Sequence, residues 1–182
     1  MLYIALCILD TVVNYDATYN EFPAGLLHKQ HPPTFLLPMT IQIVRLTADI
    51  ARDQFDQVVK LFQQLSSTAN ESLVQAALAS IQNQVIAAED MTTGDIVGVL
   101  IIAMTPCASG TRVHIEDVVV DSACRGKGVG TQLLTDAIRR AKDEFHARTI
   151  DLTSRPERTS ANRLYQRLGF QLRDTNVYRY TP

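Results

Sequence analysis

Between residues 118 and 141 the chain passes from an apolar triplet, Val118-Val119-Val120, through Arg125-Gly126-Lys127-Gly128-Val129-Gly130 into a run where Leu133, Leu134, Ala137, Ile138 and Ala141 share one helical face. The triplet suits the buried end of a strand, so the glycines sit where a strand hands over to a helix N-terminus. Glycines let the backbone approach an anion, consecutive N–H groups point at its oxygens, and the helix dipole favours negative charge there. Arg125 and Lys127 add positive charge on the same turn. The combination is a recipe for holding a pyrophosphate. Its spacing is neither the G-x-x-x-x-G-K-[ST] phosphate loop nor the G-x-G-x-x-G dinucleotide fingerprint, which disfavours a P-loop ATPase and a Rossmann dehydrogenase. Taken alone, the segment still leaves open a glycine-rich turn with no ligand.

The pattern on either side supplies the rest of a domain. Residues 41–46 alternate apolar and polar as a strand does, and Phe55, Val58, Val59, Phe62 and Leu65 then recur at helical spacing. A second, Ala-rich helix is expected over about 72–81. Residues 84–89 and 96–104 read as an antiparallel hairpin turning at Thr92-Thr93-Gly94-Asp95, and 112–120 as the next strand. After the helix that follows the glycines, 150–153 reads as a short strand and 160–168 as a helix closed by Gly169. Residues 170–172 and 177–180 are expected to be final strands. The predicted order is β-α-α-β-β-β-α-β-α-β-β, an α/β (α+β) arrangement.

With 182 residues and 46% hydrophobic content, the chain suits one domain. Residues 1–38 differ in texture: an apolar run at 2–9 precedes a polar stretch carrying Pro23, Pro32, Pro33 and Pro38. They are read as an N-terminal extension, poorly ordered, ahead of a domain spanning 39–182, with Met39 as a candidate functional start. The apolar run is far shorter than the ~20 residues that span a bilayer and lacks the flanks of a secretory signal, so neither anchor nor export is expected. Net charge is −2, which gives no broadly basic surface for nucleic acid. It is unevenly spread: residues 121–182 carry twelve Lys/Arg against seven Asp/Glu, residues 1–120 five against twelve. Cys7, Cys107 and Cys124 lack disulfide-framework or redox spacing, and His28, His31, His114 and His146 form no ligand set. A cytoplasmic protein without a metal is the simpler expectation.

The stretch from Val118 through Asp121-Ser122-Ala123-Cys124 to Gly130 resembles the acyl-CoA signature of the GNAT superfamily, whose core is [Q/R]-x-x-G-x-[G/A]; Arg125, Gly128 and Gly130 fill those positions. Downstream, Ser160-Ala161-Asn162-Arg163-Leu164-Tyr165-Gln166-Arg167-Leu168-Gly169-Phe170 is similar to that family's N-x-x-[AL]-x-x-[FY]-Y-x-x-x-G-F segment. Two separated motifs in the right order are more specific than one. The resemblance covers about residues 41–180. It implies the GNAT fold, a mixed and mostly antiparallel sheet with flanking helices, splayed into a cofactor cleft beyond the strand that ends at Val120. It also implies acetyl-CoA as co-substrate. The main chain of Val118, Val119 and Val120 would hold pantetheine; Arg125, Gly126, Lys127, Gly128, Val129, Gly130 and Thr131 would bind pyrophosphate; Asn162 and Tyr165 would approach from the following helix.

Direct acetyl transfer to a primary amine needs the amine deprotonated, since an alkylammonium with a pKa of ~10 is almost wholly protonated near neutrality. Glu116, two residues before Val118, is the candidate base. Asp117 is the alternative, placed on the opposite face by the period of two. Tyr165 is the candidate proton donor to the departing CoA thiolate, with a backbone N–H near Val118 polarising the thioester carbonyl. Cys124 reads as a small filler residue beside the turn. A small-molecule amine is the favoured acceptor. A noncatalytic acyl-CoA sensor, a protein N-acetyltransferase and a homodimer are further readings left open, the dimer by family analogy alone.

Overall fold

The computed structural model describes residues 39–181. The N-terminal extension expected over 1–38 lies outside the described residues. From Met39 the elements run β1 (Ile41–Leu46), α1 (Arg52–Leu65), α2 (Glu71–Ala79), β2 (Asn83–Asp90), β3 (Ile96–Thr105), β4 (Arg112–Val120), a 3-10 turn at Ser122–Cys124, α3 (Val129–Asp143), β5 (Thr149–Leu152) and α4 (Thr159–Arg167). They build a five-stranded sheet in the order β1-β2-β3-β4-β5. The first four strands pair antiparallel and β5 joins β4 in parallel.

Local chemistry explains where these elements begin and turn. Asn70 caps α2 by accepting from the Leu73 N–H at 3.0 Å, which starts the helix slightly earlier than its apolar pattern suggests. In the β2-β3 hairpin the Asp90 carbonyl accepts from the Gly94 N–H at 2.7 Å and its Oδ1 from the Thr92 N–H at 2.9 Å. Gly94 takes the left-handed conformation that closes the turn. Arg52 opens α1 and forms a two-pronged hydrogen bond with Glu71, at 2.8 and 3.1 Å, so the N-terminal ends of α1 and α2 are held together.

The sheet separates two apolar layers. On one side Phe55, Val58, Val59 and Phe62 of α1, with Val74 and Leu78 of α2, pack on Val85, Ala87, Val99 and Ile101. On the other, Leu133, Leu134, Ala137 and Ala141 of α3 pack on Ile86, Leu100, Ile102, Val113 and Ile115, and Leu164, Tyr165 and Leu168 of α4 lean against that layer from its margin. At Gly98 α3 packs tightly on the sheet: a Cβ there would lie 3.0 Å from Leu133 Cδ1 and 3.2 Å from Val129 Cγ1.

The final strands expected at 170–172 and 177–180 do not form; residues 170–181 carry no helix or strand. Phe170 is held by α4 instead, its N–H donating to the Tyr165 carbonyl at 3.0 Å and its ring lying edge-on to Tyr165 with centroids 6.1 Å apart. Beyond it, Leu172, Val177, Tyr178 and Tyr180 stand exposed. Their alternation resembles a strand, but no face is buried by it, and the polar run Arg173-Asp174-Thr175-Asn176 between the two short segments supplies no apolar side chains to pack.

Candidate active site

The pairing of β4 with β5 is brief. It joins Arg112 to Thr149, Val113 to Ile150, His114 to Asp151 and Ile115 to Leu152, and stops. β4 continues through Val120 along β3, while the chain leaves β5 after Leu152. A wedge therefore opens beyond Ile115. A cleft of about 520 Å³ fills it, with Glu116, Asp117 and Val118 on the β4 wall, Thr153, Ser154, Arg155 and Arg158 on the wall leading into α4, and Tyr165 in α4 itself. Its volume is in the range of small-molecule sites.

The alternation expected for β4 fails at the edge of this cleft. Glu116 pairs with Ile101 and Val119 with Val99, so Asp117 and Val118 together face Leu100 across a β-bulge. Asp117 takes φ 51 there, a conformation uncommon for a side-chain-bearing residue. The bulge shifts the parity: Val113 and Ile115 lie on the α3 side, yet so do Val118 and Val120, while Val119 turns to the α1-α2 side. Asp117 is thus not sent to the opposite face from Glu116, and both carboxylates border the same cleft. His114 Nε2 lies 3.5 Å from Glu116 Oε1.

Where β4 ends, Asp121 accepts from the Ala123 N–H at 2.8 Å and from the Gln64 amide of α1 at 2.9 Å. The Gln64 hydrogen bond, then that of Ala123, hold its carboxyl below the ordinary range, with Arg125 contributing. Arg125 turns back, its Nε donating to the Val120 carbonyl at 3.1 Å. That carbonyl is therefore already engaged on one side. Gly126 has φ 77 and Gly128, the N-cap of α3, φ 84. No side chain caps this helix; its first internal bond runs from the Gln132 N–H to the Gly128 carbonyl at 3.1 Å. The N–H groups of Val129, Gly130 and Thr131 precede that bond and, as at any uncapped N-terminus, are open to an acceptor. Gly130 serves packing: a Cβ would come within 3.3 Å of Leu164 Cδ2 and 3.7 Å of Val120 Cγ2. Cys124 is buried. The turn can thus hold an anion at the end of the same strand whose wedge forms the cleft.

On the far wall, burial raises the Tyr165 pKa while the positive charge of Arg158 partly opposes it. The phenol therefore stays protonated at neutral pH. The Asn162 side chain donates to the carbonyls of Arg155 and Pro156 at 3.0 and 3.4 Å, so it fastens the loop that enters α4. Sequence reasoning missed Ser154, which lines the cleft with its Oγ buried and without a partner among the described residues; nothing in its neighbours' identity marks it. Of Arg155, Arg158 and Arg173, the cations that leave room in the sequence for an acidic acceptor, the first two line the cleft.

Similar folds occur among solved structures. A transcriptional regulator from Bacillus halodurans C-125 is 27% identical, with a TM-score of 0.64 over 78% of this chain and 100% of the other. A glucosamine-6-phosphate N-acetyltransferase from Arabidopsis thaliana is 21% identical, with a TM-score of 0.64 over 79% and 99%. An aminoglycoside acetyltransferase from an uncultured soil metagenomic sample, in complex with trehalose, is 18% identical, with a TM-score of 0.66 over 78% and 95%. No curated protein matches the chain in sequence. Residues 48–170, which contain the sheet from β2 to β5, both motifs and every lining residue of the cleft but Arg179, match the acetyltransferase (GNAT) family, and the chain is a member of that family and an acyltransferase.

Proposed function

We propose that the protein transfers the acetyl group of acetyl-CoA directly to the primary amine of a small molecule. The observation that carries this reading is the meeting, in one wedge, of Glu116, Asp117 and Tyr165 at the end of a strand that runs into an uncapped, glycine-led helix. The unpaired edge of β4 from Val118 to Val120 would hold the pantetheine arm, and the turn from Arg125 through Thr131 the pyrophosphate. Asn162 would act through the loop it fastens.

In this reading Glu116 or Asp117 accepts the proton of the ammonium, directly or through one water, leaving a nucleophilic nitrogen. A main-chain N–H near Val118 polarises the thioester carbonyl as it is attacked. The C–N bond forms, the C–S bond breaks, and Tyr165 gives its proton to the thiolate as it leaves. Tyr165 holds its proton at neutral pH and so is present in the form that a general acid requires, although burial makes it a weaker acid than a free phenol.

The test is acetyl-CoA-dependent release of free thiol by the purified protein, measured over a panel of alkylamines, polyamines, amino sugars, aminoglycosides, amino acids and short peptides. Turnover with a small amine, lost in Tyr165→Phe, supports the reading. Binding of acetyl-CoA without turnover on any member would replace it with a sensor, and turnover confined to peptides with a protein acetyltransferase.

A further inference from the structure

The cleft has a neighbour of opposite chemistry. Between α1, α2 and the sheet lies a cavity of about 190 Å³ walled mainly by Phe62, Leu65, Leu73, Val74, Ala77 and Ile101, with Ser66, Thr68 and Asp117 as its polar lining. Leu65, Ser66 and Asp117 line both spaces, so the two meet along a shared wall. Asp117 is the sole ionisable residue among those that line the smaller cavity, and the β-bulge with its left-handed φ is what brings it to this wall. Leu73 is 56% exposed although it borders the cavity. Leu73 thus stands at the open side of the cavity, where a ligand's carbon skeleton would cover it.

We infer that the smaller cavity seats the non-reacting end of the acceptor, and that the acceptor is a primary amine carrying a compact apolar group. The inference rests on the acetyl-transfer reading above and names its substrate class. The ammonium sits at the shared wall, where Asp117 offsets its charge and the cleft receives it. The carbon skeleton extends between α1 and α2 and displaces water from Phe62, Leu65, Leu73 and Ile101. A heavily hydroxylated acceptor fits this cavity poorly, because beyond Ser66, Thr68 and Asp117 its lining side chains offer no hydrogen-bond partner for the hydroxyls that lose water. An apolar pocket discriminates by roughly tenfold or more for a well-seated methylene.

The experiment compares kcat/KM for butylamine and 3-methylbutylamine with that for 2-methoxyethylamine, which has the size of butylamine but an ether oxygen in its chain. The expected result is a preference of about tenfold or more for the alkylamines. Ala77→Phe, which fills the cavity from its wall, should abolish that preference while leaving the acetyl-CoA Kd unchanged. Leu73→Gln, at an exposed position where folding is little affected, should reduce it and decides the matter if Ala77→Phe does not fold. Equal kcat/KM for the three amines, or a preference that survives in the folded variants, overturns the pocket assignment and leaves acetyl transfer intact. Failure to acetylate any amine while acetyl-CoA binds overturns both.

Discussion

The side-chain amide of Gln64, in the last turn of α1, donates to Asp121 at 2.9 Å, and the same carboxylate accepts from the Ala123 N–H at 2.8 Å. One residue thereby joins the helix beside the acceptor cavity to the turn that leads into α3. Asp121→Ala should lower stability by about 1 kcal/mol, the usual worth of a capping side chain, and raise the acetyl-CoA Kd severalfold as the turn loosens. Asp121→Asn, which keeps an acceptor oxygen, should show less than half of either effect. Thermal melts and calorimetric titration of the two variants side by side check this.

The same contacts set a pH dependence. The Asp121 carboxyl is lowered below its ordinary 3.8 by the Gln64 amide first and the Ala123 N–H second. A depressed folded-state pKa means that the contribution is present above the unfolded value and is lost as pH falls through the folded one. The stability gap between wild type and Asp121→Ala should therefore hold steady from pH 7 to about pH 4 and close below that. The carboxylate is largely exposed, so the gap is small and shrinks with added salt. Chemical denaturation at several pH values measures it; a gap that widens under acid would contradict the assignment.

Gly128→Ala should weaken acetyl-CoA binding by about tenfold and cost about 1 kcal/mol of stability. A Cβ at this position meets nothing within 4 Å, so the penalty comes from φ 84 alone. Gly128→Asn, whose side chain tolerates the left-handed region, should be milder on both counts. If alanine and asparagine behave alike, the penalty is not conformational.

Much of this arrangement was legible in the sequence because periodicity and turn chemistry are local. The helical recurrence of Phe55, Val58, Val59 and Phe62 and the glycines before Leu133 each determine an element without reference to its neighbours. The bulge at Asp117 was not legible, since Glu116-Asp117-Val118 contains no glycine or proline to announce it and the extra residue is forced by the register against β3. The unformed C-terminal strands err the other way. Val177 to Tyr180 has strand-like residues, yet burial decides strand formation, and the ring of Phe170 has been drawn to Tyr165. Asn162 is placed toward the cofactor by motif alone, and the sequence does not show that its side-chain NH2 also donates to two carbonyls of its own loop.

The two carboxylates on the β4 wall should separate kinetically. Glu116 has His114 3.5 Å away and lines only the cleft, while Asp117 also lines the apolar cavity. Glu116→Gln should lower kcat by roughly 10²-fold, within the span of general-base catalysis, with acceptor KM little changed. Asp117→Asn should mainly raise acceptor KM, as expected of a group that meets the ammonium. The reverse split would exchange their roles, and unchanged constants for both would move the base elsewhere.

Tyr165 carries the prediction that bears most directly on mechanism. Burial raises its pKa above the usual 10.0, with Arg158 pulling weakly the other way, so the phenol remains protonated through the whole physiological range. A rate that depends on this proton should show no fall on the alkaline side until the pH passes about 10, the ordinary phenol value. Tyr165→Phe should lower kcat by about 10²-fold with the acetyl-CoA Kd unchanged, because the ring and its edge contact with Phe170 survive while the proton is lost. Arg158→Gln removes the opposing charge and should shift the alkaline limit upward. Stopped assays of thiol release from pH 6 to 11 read all three effects, and an alkaline limit that stays put in Tyr165→Phe would assign it to another group.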